Sequence, residues 1–157
     1  MGSRDEQSFS IDRTDDAPPF PAAHEALLAR LAEAVAATHA GPRPCLLVLT
    51  GEAFMQRLNA RYRGTDAVTD VLSFDLGGAD GVGATAGGEV YVCLERAAAQ
   101  AADQQVSLLA EVARLLVHGM LHLAGYEHHT PAALREMETE TARLLGAVGL
   151  AEPGTAQ

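Results

Sequence analysis

Ser107-Leu-Leu-Ala-Glu-Val-Ala-Arg-Leu-Leu-Val-His-Gly-Met-Leu-His-Leu-Ala-Gly-Tyr-Glu-His-His129 is the stretch from which the fold is read. Leu108, Leu109, Val112, Leu115 and Leu116 recur at helical spacing and predict a helix from about Ser107 to Leu123 with a broad apolar face. Gly125 ends it, as a left-handed cap would. Thr130-Pro131 then supplies an N-cap and a proline at the first helical position. Leu134, Met137, Leu144 and Leu145 give this last helix its buried side.

Working back from Ser107, residues 95 to 104 are alanine-rich and helical, and Gly88 to Cys93 reads as a strand. The stretch Gly77 to Gly88 holds six glycines in 12 residues, so it predicts a mobile, hairpin-like connection. Val68 to Leu76 reads as a strand and Glu52 to Tyr62 as a helix with Phe54, Met55 and Leu58 on one side. A buried strand of about 45 to 50 precedes it. Leu27, Leu28, Leu31 and Val35 predict a helix over 22 to 39, stopped by Gly41-Pro-Arg-Pro44. The expected architecture is one α+β domain, with about five helices packed on a roughly four-stranded mixed sheet. Residues 1 to 20 carry five acids and two arginines. Only the alternation Phe9-Ser-Ile11 suggests a strand there, so 1–20 is expected as a partly flexible acidic segment, 21–150 as the domain and 151–157 as a flexible tail.

Composition narrows the function classes. The chain has 157 residues and a formal net charge of −10, and all 11 of its cations are arginines. The absence of lysine excludes a Walker-type phosphate loop, Schiff-base chemistry and a lysine general base. Strong acidity also argues against a nucleic-acid partner, since affinity for polyanions rests on clustered cations. No apolar run is long enough to span a membrane. The start lacks a secretory pattern, so a cytoplasmic protein with no membrane partner is expected. Cys45 and Cys93 each sit in an apolar run and read as buried thiols rather than a disulfide or a ligand pair.

Four of the six histidines lie within residues 118 to 129. His118 and His122, four residues apart, share one helical face. After the break at Gly125, His128 can close a set of three nitrogen ligands suited to zinc or another late divalent metal, with a position left open. The bland alternative is a pair of core histidines with satisfied ring nitrogens. His129 is expected to be exposed, and His24 and His39 are distant surface candidates. The spacing resembles the zinc-protease helix, but Gly119 stands where those enzymes carry their glutamate general base, which speaks against peptide hydrolysis. Glu111 and Glu127 are candidates to orient a ligating imidazole or relay a proton, with an orienting or plain solvated role favoured over proton transfer for Glu127. Arg57, Arg61 and Arg63 form a local cluster able to offer planar forks to phosphate, or simply a solvated face.

Together the motifs resemble a known family. They are Leu58-Asn59-x-x-Tyr62-Arg63, Asp66-x-x-Thr69-Asp70-Val71-Leu72-Ser73-Phe74, Gly88-Glu89-Val90 and His118-Gly-Met-Leu-His122-Leu-Ala-Gly-Tyr126-Glu-His128. From roughly Pro44 to Gly149 the chain is similar to the YbeY-type bacterial endoribonucleases, also called rRNA maturation factors. It departs where the family usually has Asp for Glu127, Pro for Asp75 and Gly-Asp for Gly88-Glu89. The resemblance implies one zinc ion per chain held by His118, His122 and His128. It also implies a catalytic Arg63 that engages substrate phosphate, beside RNA-binding candidates Arg57, Asn59 and Arg61. It implies cleavage of single-stranded RNA and rRNA precursors, including the 3′ end of the small-subunit rRNA, and a part in ribosome quality control. Implied partners are ribosomal particles, small-subunit ribosomal proteins and assembly GTPases. The alternatives are a noncatalytic zinc-containing assembly factor and a metal-dependent hydrolase of another substrate.

Overall fold

The computed structural model describes residues 9–39, 45–76 and 87–150. Residues 1–8, residues 77–86 of the glycine-rich connection, the stop at Gly41-Pro-Arg-Pro44 and the tail at 151–157 lie outside the described residues. Four strands, β1 (Phe9–Arg13), β2 (Cys45–Thr50), β3 (Val71–Asp75) and β4 (Gly88–Cys93), form one sheet in the order β1-β2-β4-β3. β1, β2 and β4 are parallel, and β3 runs antiparallel to β4, so the sheet is mixed. Among the described residues five α-helices complete an α+β domain: α1 (Glu25–Thr38), α2 (Glu52–Arg63), α3 (Leu94–Gln104), α4 (Leu108–Leu123) and α5 (Pro131–Ala147).

Strand alternation divides the sheet into two faces. Leu47, Leu49, Val90 and Val92 are buried in the main core with Leu28, Leu31, Leu115, Leu116, Met137 and Leu144 from α1, α4 and α5. Val48 pairs in register with Tyr91, and Leu72 with Tyr91 on the other side, so these residues look to the opposite face. There α2 inserts the fully buried Met55.

Helix α4 crosses the core face of β4 at close range. A Cβ added at Gly119 would lie 2.7 Å from Val90 Cγ1. Any side chain at this position, the protease-type glutamate included, would force Val90 to shift. Gly119→Ala is expected to lower stability by a net of about 1 kcal/mol, because overpacking of about 1–3 kcal/mol outweighs the gain in helix propensity of about 1 kcal/mol. Chemical denaturation of the variant checks this, and an unchanged or higher midpoint would mean that Val90 yields without strain.

Several expectations change. Beyond the strand foreseen at Phe9-Ser-Ile11, β1 extends to Arg13, and Phe20 is buried in the core. Asp16 reaches α2: its Oδ1 accepts from the Gly51 N–H (3.2 Å) and its Oδ2 from the Phe54 N–H (3.0 Å). Burial raises the Asp16 pKa, but the Thr14 hydroxyl and these amides outweigh it and hold the carboxyl below its ordinary value. Gly51 has no side chain with which to cap α2, and a Cβ there would collide with the Asp16 carbonyl oxygen at 2.2 Å. The first helix begins at Glu25, after a 3-10 turn over Ala22–His24. β3 is shorter than expected and starts at Val71. Leu134 is exposed rather than buried, because α5 packs through Met137, Thr141, Leu144 and Leu145.

Cys45 and Cys93 are buried free thiols, and burial pushes Cys45 up to about 12. Cys45 pairs with Gly88 and Cys93 with Thr50, which puts the two sulfurs at opposite ends of their strands. Among the described residues no single helix is long and apolar enough to cross a membrane.

Candidate metal centre

Ser107 caps α4, its hydroxyl accepting from the Ala110 N–H at 3.0 Å. The other end closes through two reversed hydrogen bonds, Gly125 N–H to the His122 carbonyl (3.0 Å) and Tyr126 N–H to the Leu121 carbonyl (2.9 Å). Gly125 takes φ +104° to allow it. This turn folds the chain back over the last turn of α4 and brings His128 to the two helical histidines.

His118, His122 and His128 thus form one cluster, with a potential ligand nitrogen from each lying within 4.8 Å of the others. The ring centroids are 5.0, 4.8 and 5.8 Å apart for the pairs 118–122, 122–128 and 118–128. His118 and His122 are half-buried and His128 is exposed, so the cluster has a protein-lined side and an open side. Burial lowers the His118 pKa to about 4, with further contributions from His122, Arg114 and His128 and an opposing one from Asp70. Burial and His128 likewise lower His122. Neutral imidazoles with free lone pairs are the form that binds a metal.

Orientation of His122 comes from the backbone, since its Nδ1 lies 3.1 Å from the Tyr126 carbonyl oxygen. That contact leaves Nε2 as the ligand nitrogen. Tyr126 is itself buttressed: its ring meets His39 edge-on at 5.3 Å, and His39 Nε2 lies 2.6 Å from Glu140 Oε2. Arg143, with burial opposing and His39 assisting, holds Glu140 down to about 2. His39 is therefore half-buried and tied to α5, in place of the surface position expected for it. His24 packs edge-on against Phe20.

The acidic candidates have other partners. Glu111 is buried and paired with Arg114, through Nε at 3.0 Å and Nη2 at 2.6 Å. Glu127 is largely exposed and lies 3.7 Å from His129, which is exposed as expected. Arg114, one turn before His118, and Asp70, whose charge reaches His118, complete the surroundings of the cluster. The 114–118–122 spacing on one helix made Arg114 findable, whereas nothing in the linear order pointed to the Tyr126 carbonyl.

Arg63 is the last residue of α2, followed by Gly64 in the left-handed region. Its Nη2 donates to the Ser73 carbonyl at 2.9 Å, and its guanidinium lies 4.7 Å from the centre of the Phe74 ring. Arg57 and Arg61 are exposed beside it. Asn59 is buried, and its amide donates to the Ala67 carbonyl at 2.9 Å. Its side chain holds the turn after α2 instead of facing solvent.

A three-imidazole cluster with an open side is suited to a divalent metal that must also meet a ligand from solution. Residues 13–149 match the family model described as Endoribonuclease YbeY. The chain is 38% identical over 146 residues to Endoribonuclease YbeY of Anaeromyxobacter sp. (strain Fw109-5), covering 91% of this chain and 76% of that one. It is 39% identical over 143 residues to Endoribonuclease YbeY of Moorella thermoacetica, covering 83% and 92% respectively. A solution structure of a Thermotoga maritima protein shares the fold, with a TM-score of 0.59 at 24% identity over 94% of this chain and 99% of that one.

Proposed function

We propose, from the premise that this chain belongs to the Endoribonuclease YbeY family and so is an enzyme that cleaves RNA, that it is a zinc-dependent, single-strand-specific endoribonuclease of rRNA maturation. Its substrates would be rRNA precursors, including the 3′ end of the small-subunit rRNA, and its work would lie in the cytoplasm with ribosomal particles, small-subunit proteins and assembly GTPases. The observation that carries the metal dependence is the compact cluster of His118, His122 and His128.

These three imidazoles would hold one zinc ion, which when bound supplies a Lewis acid that makes water more acidic or polarises a phosphoryl oxygen. The residues of the chain do the rest. His122 is held in one tautomer by the Tyr126 carbonyl. Arg63, fixed between Ser73 and Phe74, would direct a planar fork of N–H donors at the phosphate and stabilise the charge that grows on it. Arg57 and Arg61 would bind the neighbouring backbone. Asp70 and Arg114 set the field around His118.

Treatment with a chelator is expected to abolish cleavage of an unstructured RNA, and one equivalent of zinc is expected to restore it. Cleavage indifferent to chelation would remove the metal from the reaction. The product ends identify the nucleophile: a 2′,3′-cyclic phosphate assigns it to the ribose 2′-OH, and a 5′-phosphate with a 3′-OH assigns it to water.

A further inference from the structure

Only seven residues of this chain are Phe or Tyr, and none is Trp, so their placement carries information. The main core is filled by Leu, Val and Ala, with Phe20 its one fully enclosed aromatic side chain. Four of the seven, Phe54, Tyr62, Phe74 and Tyr91, instead form a connected set in which no ring is buried. Phe54 and Tyr91 stack at 6.2 Å with 17° between their planes. Tyr91 meets Phe74 edge-on at 5.7 Å, and Phe74 meets Tyr62 at 5.6 Å.

The set occupies the sheet face away from the main core. Tyr91 pairs across from Leu72, and Phe74 from Glu89, all on the side that α2 covers. The cover is partial: Tyr62 is 55% exposed, and Leu76, just past the end of β3, is 45% exposed. Arginines lie over the same rings, Arg57 5.9 Å from the Phe54 centroid, Arg61 5.5 Å from Tyr62 and Arg63 4.7 Å from Phe74. An acidic chain has thus gathered three of its 11 cations over its exposed aromatic cluster. The Tyr91 hydroxyl donates to Glu89 at 2.8 Å, which makes Tyr91 a support beneath the set and engages that carboxylate.

Interleaved rings and guanidinium groups are the composition by which proteins hold single strands. Bases stack on the rings whatever their sequence, and arginines meet the phosphates. A duplex, with its bases already stacked, gains nothing from such a surface. We propose that this face is a base-stacking platform for unpaired nucleotides of the RNA strand being cleaved, with Tyr62 as its exposed ring and Arg57 and Arg61 on the flanking phosphates. The proposal rests on the endoribonuclease reading above. Its position suits that role, because β3 connects the two places: Asp70, just before the strand, acts on His118, and Phe74 follows four residues on, about 13 Å along an extended chain.

The lack of tryptophan makes a direct test available. In a His122→Ala background, Tyr62→Trp places one indole on the platform. Its emission is expected to be quenched by an unstructured oligoribonucleotide, and neither by an abasic strand of equal length nor by duplex RNA. In the otherwise unchanged, zinc-loaded enzyme, Tyr62→Ala is expected to raise KM for single-stranded RNA about tenfold with kcat within about twofold, and Tyr62→Phe to restore it. Zinc content and thermal midpoint should not change in either variant, since the side chain is exposed. Equal quenching by abasic and normal strands, or an unchanged KM in Tyr62→Ala, would overturn the platform while leaving the endoribonuclease reading in place. A wild-type enzyme that neither binds nor cleaves RNA would overturn both. A platform that responds instead to a protein, or to a second copy of this chain, would give no quenching with RNA and would overturn the RNA assignment.

Discussion

Replacing His122 with alanine is expected to leave the purified protein with little or no bound zinc and to cut RNA cleavage by on the order of 10³-fold. Losing a group that merely orients a ligand costs about 10–100-fold in metal affinity or activity, and loss of the ligand itself exceeds that. His122 is the histidine to remove, because it is central in the cluster, 5.0 Å from His118 and 4.8 Å from His128 between ring centroids. Two ligands on different elements would remain, one half-buried and one exposed. A stability signature should accompany the loss. Zinc bound as proposed, at a hundred times its Kd, should stabilise the folded wild type by about 2.7 kcal/mol. The variant should accordingly melt at the temperature of chelated wild type and gain nothing from added zinc. Metal analysis and thermal denaturation of the same samples check both parts. A variant that keeps a full equivalent of zinc would place the metal elsewhere.

Arg63→Ala is the second large effect. The side chain is exposed and ends on a carbonyl and an aromatic face, so its loss should change stability by no more than about 0.5 kcal/mol and should not alter zinc content. Catalysis is expected to fall by about 10²–10³ in kcat, the range for removing one donor from a developing charge. Arg63→Lys should recover little of it, because an ammonium offers neither the planar fork nor the flat surface that lies over Phe74. Loss confined to KM would reassign Arg63 from the chemistry to binding.

The parts of this molecule that repeat at short period were legible in its sequence. β2 and β4 lie where their apolar runs predicted, at 45–50 and 88–93, and α4 lies within one residue of its predicted bounds. The three histidines come together because spacing on one helix and a single glycine turn are local facts. Contacts made across the fold had no such trace. Asp16 reads as one more acid in an acidic segment, yet it caps α2 some 35 residues later. Phe20 falls at the end of the segment read as acidic and partly flexible, and it is a core residue. His39 reads as a surface histidine until Glu140 and Tyr126 arrive from the other end of the chain. Asn59, a polar residue in a motif, spends its amide on the turn that directs α2 toward β3. The aromatic face depends on which sheet side each strand residue takes, which requires the β3–β4 register.

Charge also reads differently once placed. The net −10 argued against a nucleic-acid partner. If the arginines gathered over the exposed rings carry the affinity as proposed, it rests on a few contacts, and binding to RNA should show a shallow salt dependence rather than that of a broad cationic surface.

Joint action of the three-histidine cluster and Arg63 in RNA cleavage can be checked by assaying wild type, His122→Ala and Arg63→Ala, purified identically, on one end-labelled rRNA-precursor fragment, with zinc measured in each sample. The expected result is cleavage by wild type with about one zinc per chain, none above background by zinc-free His122→Ala, and strongly reduced cleavage by zinc-replete Arg63→Ala. Equal cleavage by all three would trace the activity to a contaminating ribonuclease and contradict the account.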